Sequence, residues 1–399
     1  MKAIFDAKSF VEAVNWATKS YDSKNDKAHV ALFVDGDGTA YLSHSNLNSY
    51  MKSEINVVSV DFTGDKVDEA SFAMEGKYVQ RLASAISTTG QIAFSKKLSD
   101  AKTSLAVKTS AGNFTVPLLD SKIPDAPETV SLGEVDDKEF FDSMIRIAKL
   151  CDPANAGSNT FIGAVDLGFD TKNETVSLFA TDRYAMGEVV LGFSPDEDDD
   201  EETESFIKDH ILLPHASAVL VQPTKGVDSS ITLIGEEGNS GNLRFGYSFP
   251  DGRVALFSLM NAERFEFLDN MKKKVSESVE NSISVPTSEL AGAIRVISSL
   301  AWEEDDVYFT ISKDGLVVSD GNNTNKVNVA HTEIDYDLDE EYRARFVRSV
   351  INEAFSPIST GTVKLKWGSS STAFVLAPVT DDGQELETVF VMAVLGRNR

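Results

Sequence analysis

One helical stencil, repeated in three segments far apart, constrains this chain more than any single motif. Phe10, Ala13, Val14 and Ala17 fall at i, i+3, i+4 and i+7; so do Phe141, Met144, Ile145 and Ala148, and again Leu290, Ala293, Ile294 and Ile297. Each set predicts an apolar stripe on an amphipathic helix. A second stencil follows in the outer two units, at Val79, Leu82, Ala83 and Ile86 and at Val347, Val350, Ile351 and Ala354. The middle unit has a weaker counterpart in Ala216, Val219 and Leu220 behind Pro214. Single stripes are common in soluble proteins. Two per unit in one order argue for a chain built from three related units of about 130 residues.

The sequence around the helices reads as short strands joined by polar turns. Val30 to Val34 and Ala40 to Ser43 flank Asp35-Gly36-Asp37-Gly38, a hairpin signal. Ile92 to Phe94, Ser104 to Lys108 and Asn113 to Leu118 continue that texture; Gly163 to Phe169, Val176 to Ala180 and Met186 to Leu191 repeat it. Val307 to Ile311, Leu316 to Ser319 and Lys326 to Val329 repeat it again. Each unit is helix, antiparallel strands, helix, more strands, which is α+β and not the βαβ alternation of a parallel nucleotide-binding sheet. Pro-rich Lys122 to Glu128 and the stretch Asn270 to Ser282 read as linkers, giving domains at 1–125, 130–270 and 280–399. Lys272-Lys273-Lys274 in the second stretch is either a nucleic-acid patch or, preferably, a solvated linker.

Charge is the puzzling feature. Lys plus Arg is 37 against 63 Asp plus Glu, a net of −26, so on average the chain repels nucleic acid. The acidic run Asp196 to Glu202 is a solvated loop; successive carboxylates cannot all converge on one ion. Basic residues recur in the expected helices: Lys8, Lys19, Lys77, Arg81, Arg146, Lys149, Arg295, Arg345 and Arg348. They lie either on one shared positive surface or as scattered solubilising charges. No apolar run approaches a membrane span, the N-terminus lacks a signal-peptide core, and the one cysteine, Cys151, forms no internal disulfide, so cytoplasm is the default compartment.

Constellations that carry catalysis are missing. No phosphate-cradling, dinucleotide-binding, nucleophile-elbow or zinc-protease motif occurs, and the five histidines have no ligand spacing. The expectation is a binding protein without metal or cofactor, not an enzyme.

Three segments then resemble one family. Phe179-Ala180-Thr181-Asp182-Arg183-Tyr184-Ala185-Met186 resembles the ATD-[GR]-[HF]-R-L segment of the bacterial DNA polymerase III sliding clamp (β subunit). Ser9 to Ala17 is similar to the opening helix of actinobacterial clamps, and Val389 to Leu395 to the family's terminal Y-V-V-M-P-M-R-L. The resemblance runs the whole chain in order and is weak between motifs, as in a divergent and phage-encoded member. It implies three domains of the DNA-clamp fold forming half of a ring, and a head-to-tail homodimer that encircles duplex DNA as a processivity factor. Such a ring holds DNA topologically and tolerates a negative net charge. By position, Lys24, Lys77 and Asn155 match clamp residues that approach the DNA backbone; the helix pattern adds Arg146, Lys149, Arg295, Arg345 and Arg348. His215 and Ala216 stand where the family usually carries basic residues.

The resemblance also implies a pocket between the middle and last domains for short motifs of the DNA polymerase and clamp loader. It would include Phe161, Thr181, Arg183, Tyr184, Met186, Val350, Val391, Met392, Ala393 and Val394, any of which on residue type alone is core or strand filler. Ala185 replaces a family Arg, Ala393 a Pro and Leu395 an Arg; Ala262 to Phe267 aligns loosely with the pocket-lining F-P-D-Y stretch, so an altered motif preference is expected. For the ring contact, Phe114 and Val116 match apolar interface residues, opposite Ser298 and Ser299 where the family is usually apolar; a dimer is expected, and the serines leave open one that is weaker or salt-sensitive. The alternative is a regulatory decoy of clamp fold that binds replication partners without encircling DNA.

Overall fold

The computed structural model describes residues 1–21, 29–63, 67–96, 104–121, 123–156, 160–196, 210–224, 229–237, 243–260, 268–300, 306–336, 341–368 and 373–394, with the side chains of residues 160, 237, 268, 269 and 394 excepted. Lys24, the run 197–202, Ala262 to Phe267 and Leu395 lie outside the described residues.

One order of elements occurs three times. The first repeat runs β1 (Lys2–Asp6), α1 (Ala7–Ala17), β2 (His29–Asp35), β3 (Ala40–Ser45), β4 (Ser49–Glu54), β5 (Val57–Asp61), β6 (Glu69–Glu75), α2 (Gly76–Ala85), β7 (Gln91–Ser95), β8 (Ser104–Thr109) and β9 (Gly112–Pro117). The second is β10 (Val130–Asp136), α3 (Asp137–Ala148), β11 (Ala164–Asp170), β12 (Thr175–Thr181), β13 (Ala185–Gly192), β14 (Ser194–Pro195), β15 (Ile211–Pro214), α4 (His215–Ala218), β16 (Ser230–Glu237), β17 (Leu243–Ser248) and β18 (Val254–Ser258). Helix α5 (Leu268–Glu277) then leads into the third: β19 (Asn281–Pro286), α6 (Thr287–Leu300), β20 (Asp306–Ser312), β21 (Gly315–Ser319), β22 (Lys326–Val329), β23 (Glu333–Asp335), β24 (Tyr342–Val347), α7 (Arg348–Ala354), β25 (Thr362–Trp367), β26 (Ala373–Val379) and β27 (Val389–Val394). The fold is α+β with antiparallel ladders, as the sequence predicts. No described helix is long and apolar enough to cross a membrane.

The first stripe of each repeat becomes a buried face. Phe10, Ala13, Val14 and Ala17 are buried in α1, and Leu290, Ala293, Ile294 and Ile297 in α6. In α3 the stripe is wider and shifted: Phe140, Phe141, Met144, Ile147 and Ala148 are buried while Ile145 is half-buried. Helices α1 and α3 start alike, because a strand ends in Asp whose carboxylate accepts the N–H three residues on: Asp6 from Ser9 at 2.8 Å, Asp136 from Glu139 at 2.7 Å. Two expectations need correction. The stretch 270–282 is not a linker; it holds most of α5, which packs Met271 and Val275 against Phe179, Met186, Ala373 and Met392. Arg345 lies on β24 and not on a helix, since the strand persists to Val347 and α7 begins one residue later.

By contacts the chain forms two compact units, Met1–Val135 with Pro195–Phe206 and Ser229–Leu259, and Asp136–Ser194 with Ile207–Asp228 and Met260–Arg399. The middle repeat gives part of itself to each. Unit 1 holds a five-stranded sheet ordered β5-β1-β7-β8-β9 and a nine-stranded sheet ordered β14-β10-β16-β17-β18-β4-β3-β2-β6. Unit 2 holds a nine-stranded sheet ordered β15-β11-β12-β13-β27-β26-β25-β19-β23 and a four-stranded sheet ordered β22-β21-β20-β24. Each repeat thus builds one five-stranded and one four-stranded half-sheet, and neighbouring repeats join theirs edge to edge. The joints are β4 with β18, where Met51 sits opposite Ala255, and β13 with β27, where Met186 sits opposite Met392.

The Phe10 ring is fully buried 5.2 Å from that of Phe94. Phe10→Ala is expected to cost about 3–5 kcal/mol in urea unfolding of this region. A cost below about 1 kcal/mol would contradict the packing described.

Candidate partner-binding pocket

Pocket geometry in unit 2 begins with a tight strand connection. Thr181 ends β12 and Ala185 starts β13, so three residues must reverse the chain. The Thr181 hydroxyl donates to the Ala185 carbonyl at 2.7 Å and accepts the Arg183 N–H at 2.9 Å. Asp182 Oδ1 accepts the N–H groups of Tyr184 at 2.7 Å and Ala185 at 2.6 Å. These bonds hold Arg183 at φ +81°, a left-handed conformation that costs a non-glycine residue on the order of 1 kcal/mol or more. Arg183 and Tyr184 are left exposed at the tip.

Beside this tip lies a cavity of about 480 Å³. Its lining comes from the chain after α3 (Cys151, Asp152), from the tip (Asp182, Tyr184) and from the β24–α7 junction (Val347, Ser349, Val350, Glu353). Three surfaces converge because α3 and α7 both pack on β13. Close approach is possible at Gly187, where a Cβ would stand 2.7 Å from the Leu150 side chain, 3.2 Å from Pro357 and 3.3 Å from Ile147. The Ser356 hydroxyl donates to the Arg146 carbonyl at 2.9 Å and ties the ends of the two helices together.

Apolar and acidic groups share the lining, and no lysine or arginine is among them. Burial raises the Asp182 carboxyl, and its backbone hydrogen bonds oppose the rise. Glu353 is raised by burial first and then by the charges of Asp182 and Asp152. Asp152 accepts from Asn155 Nδ2 at 2.9 and 3.2 Å. Burial pushes the Cys151 thiol up to about 12, and its Sγ donates to the Ala164 carbonyl at 3.2 Å, so it behaves as a packed thiol and not a nucleophile. Among the described residues no three His, Cys, Asp or Glu side chains are grouped as metal ligands.

Of the ten residues expected in a pocket, Tyr184 and Val350 line this one. Met186 and Met392 face each other across the β13–β27 joint in the buried cluster with Phe179 and Ala373. Val391 and Ala393 are also buried on β27, Thr181 braces the tip, and Phe161 is half-buried in a short 3-10 turn, Thr160–Gly163. Val394 is placed as the end of β27, its side chain outside the description. Sequence reading missed Cys151, Asp152, Val347, Ser349 and Glu353, because they converge only after β24 has been laid beside its neighbours.

The basic positions divide. Lys77, Lys149 and Arg295 are exposed, on α2, at the C-cap of α3 and on α6. Others are engaged within the chain. Arg345 pairs with Asp306 at 2.7 Å, Arg348 Nη1 donates to the Ser298 carbonyl at 2.9 Å, and Arg146 Nη2 donates to Ser143 Oγ at 3.2 Å. Asn155 is exposed but spends its amide on Asp152. The lysine triplet is on α5, where Lys272 forms an ion pair with Glu188 and lies 5.8 Å from the Phe390 ring, and burial lowers its ammonium.

At the outer edge of the five-stranded sheet, Phe114 is 36% exposed on β9 while Val116 is fully buried. Ser299 is exposed and Ser298 half-buried. Beside them Val296 and Leu300, 46% and 47% exposed, form an apolar pair at i and i+4 outside the buried stripe of α6. Their being apolar off the stripe was a readable signal.

No family model matches the chain, and no curated protein matches it in sequence. Solved structures do match. The chain has the fold of the bacterial DNA sliding clamps, with three repeats of two helices and antiparallel half-sheets. Over 100% of both chains it aligns with the Helicobacter pylori beta clamp, solved bound to a DNA ligase peptide, at 17% identity and a TM-score of 0.75. The Bacillus subtilis DNA polymerase sliding clamp aligns equally completely at 14% identity and 0.77, and the Pseudomonas aeruginosa DNA polymerase III subunit beta at 10% and 0.75.

Glu353 supplies a pH test. A carboxyl raised in the fold binds its proton more tightly there than in the unfolded chain, so its contribution to stability falls as pH rises from the ordinary value of 4.5 through the raised one. Glu353→Gln should therefore raise Tm at pH 7.5, with the gain shrinking toward zero as pH approaches 4.5. A gain that is constant with pH, or a loss at pH 7.5, would contradict the assignment.

Proposed function

We propose that the protein is a DNA polymerase processivity factor: a sliding clamp, without chemistry of its own, that closes around duplex DNA and holds the polymerase through the unit 2 pocket. One observation carries this reading, the pattern of half-sheet joints. The four-stranded half-sheet of each repeat ends on one strand, β4, β13 or β22, and the five-stranded half-sheet on another, β9, β18 or β27. Strand β4 takes β18 and β13 takes β27, both antiparallel. Repetition leaves β22 and β9 as edges of their sheets. A third joint of the same kind, β22 of one copy with β9 of another, would make a further nine-stranded sheet from four strands and five.

Such a contact is heterologous, so it either closes into a ring or propagates as a filament. Two copies give six repeats, three joints per copy, and leave no such edge exposed to aggregation. Phe114 on β9 and Val296 and Leu300 on α6, which packs on β22, supply apolar contact for it, beside the serines Ser298 and Ser299. The 1–125, 130–270 and 280–399 segments serve as the three domains. Duplex DNA would be held by enclosure and not by affinity, which suits a chain of net charge −26. Exposed Lys77, Lys149 and Arg295 supply the local positive charge facing it. The polymerase and a clamp loader would reach the pocket through short linear motifs; the H. pylori neighbour was solved bound to a DNA ligase peptide.

Sedimentation at micromolar concentration should give a dimer, and Phe114→Asp or Leu300→Asp should shift it to monomer by at least tenfold in Kd, since an interface carboxylate opposite apolar surface costs more than about 1.4 kcal/mol. Protein loaded onto nicked circular DNA should stay bound through a high-salt wash and be lost on linearisation. Retention after linearisation, or only monomers at every concentration, would favour a decoy that binds partners without enclosing DNA.

A further inference from the structure

We infer that the unit 2 pocket selects peptides carrying a lysine or arginine beside their apolar residues, with the cationic head seated among Asp152, Asp182 and Glu353. The inference rests on the pocket being the partner site. Its ground is a mismatch between the cavity and its charge. Tyr184, Val347 and Val350 offer apolar wall, as a docking groove requires, while three carboxylates share the rest of the lining with Cys151 and Ser349, with no cation among the lining residues. Glu353 is half-buried, and its carboxylate has no hydrogen bond or ion pair among the described residues. Both side-chain bonds of Asp182 fall on Oδ1, and those of Asp152 come from the neutral Asn155. The cations nearest in sequence, Lys149, Arg183 and Arg348, are absent from the lining, and Arg348 is bonded to the Ser298 carbonyl.

Three like charges around a part-buried space repel one another, and desolvation strengthens the repulsion. A bound ammonium or guanidinium supplies the missing counter-charge, whereas an acidic side chain adds a fourth negative group. Discrimination thus comes from attraction and repulsion together.

The test uses the full chain and three acetylated five-residue peptides, each with two leucines and a phenylalanine around one variable position occupied by Lys, Gln or Glu. Fluorescence anisotropy at 0.1 M salt should rank them Lys, then Gln, then Glu, with about tenfold between Lys and Gln. In Glu353→Gln and in Asp152→Asn the Lys-to-Gln ratio should fall toward one. Tyr184→Ala, a change at a 55% exposed side chain, should weaken all three, with an unaltered circular dichroism spectrum as the control for folding. Equal binding of the three peptides, or tightest binding by the Glu peptide, overturns the charge preference and leaves the pocket standing. Failure of all three to bind, or binding indifferent to Tyr184→Ala, overturns the pocket itself and the inference with it.

Discussion

Antiparallel pairing between strands of different repeats is the interaction on which the rest depends. Within a repeat, ladders join hairpin neighbours and also more distant strands, such as β1 with β7; β4 with β18 and β13 with β27 span about half the chain and fuse half-sheets into nine-stranded layers. Each such joint satisfies main-chain donors and acceptors that an edge strand would otherwise present to solvent. The β13–β27 joint also fixes the register that buries Met186 against Met392, and α3 and α7 lie over β13 beside it. The pocket is a by-product of that placement: it opens where the tip of the β12–β13 hairpin meets the start of α7.

Electrostatics at the pocket follow from the same convergence. Asp182 is committed to the hairpin turn, because its carboxylate replaces the acceptors that three reversing residues cannot supply to Tyr184 and Ala185. Bringing Asp152 and Glu353 alongside is therefore unfavourable for the folded chain, and burial compounds it. Sites that retain such a cost are commonly sites of binding, since an occupant can relieve it.

Periodic features were legible in the sequence. Stripes at Phe10 and Leu290 marked helices and their buried faces, and alternation around Gly-rich turns marked the hairpins, since both depend on neighbours along the chain. Where local rules compete, reading along the chain went astray. Met271 and Val275 lie at helical spacing, yet three lysines between them gave α5 the look of a solvated linker. The stencil at Val347 begins one residue before the helix does, and Arg345 was drawn into the helix with it, because a residue at a strand-to-helix junction satisfies both periods.

By itself the sequence determined the repeat, the α+β class and the want of catalytic motifs, since periodicity and residue type act over a few turns of chain. Only the tertiary structure decided which basic residues stay exposed and which are spent, Arg345 on Asp306 and Arg348 on the Ser298 carbonyl, because those partners come from elements far apart in sequence. It alone decided that Met186 and Met392 are core while Asp152 and Glu353 face a cavity. The physical reason is one of range: a side chain's burial is set by whichever strand or helix is laid across it, and that partner is named by register, not by neighbours in the chain.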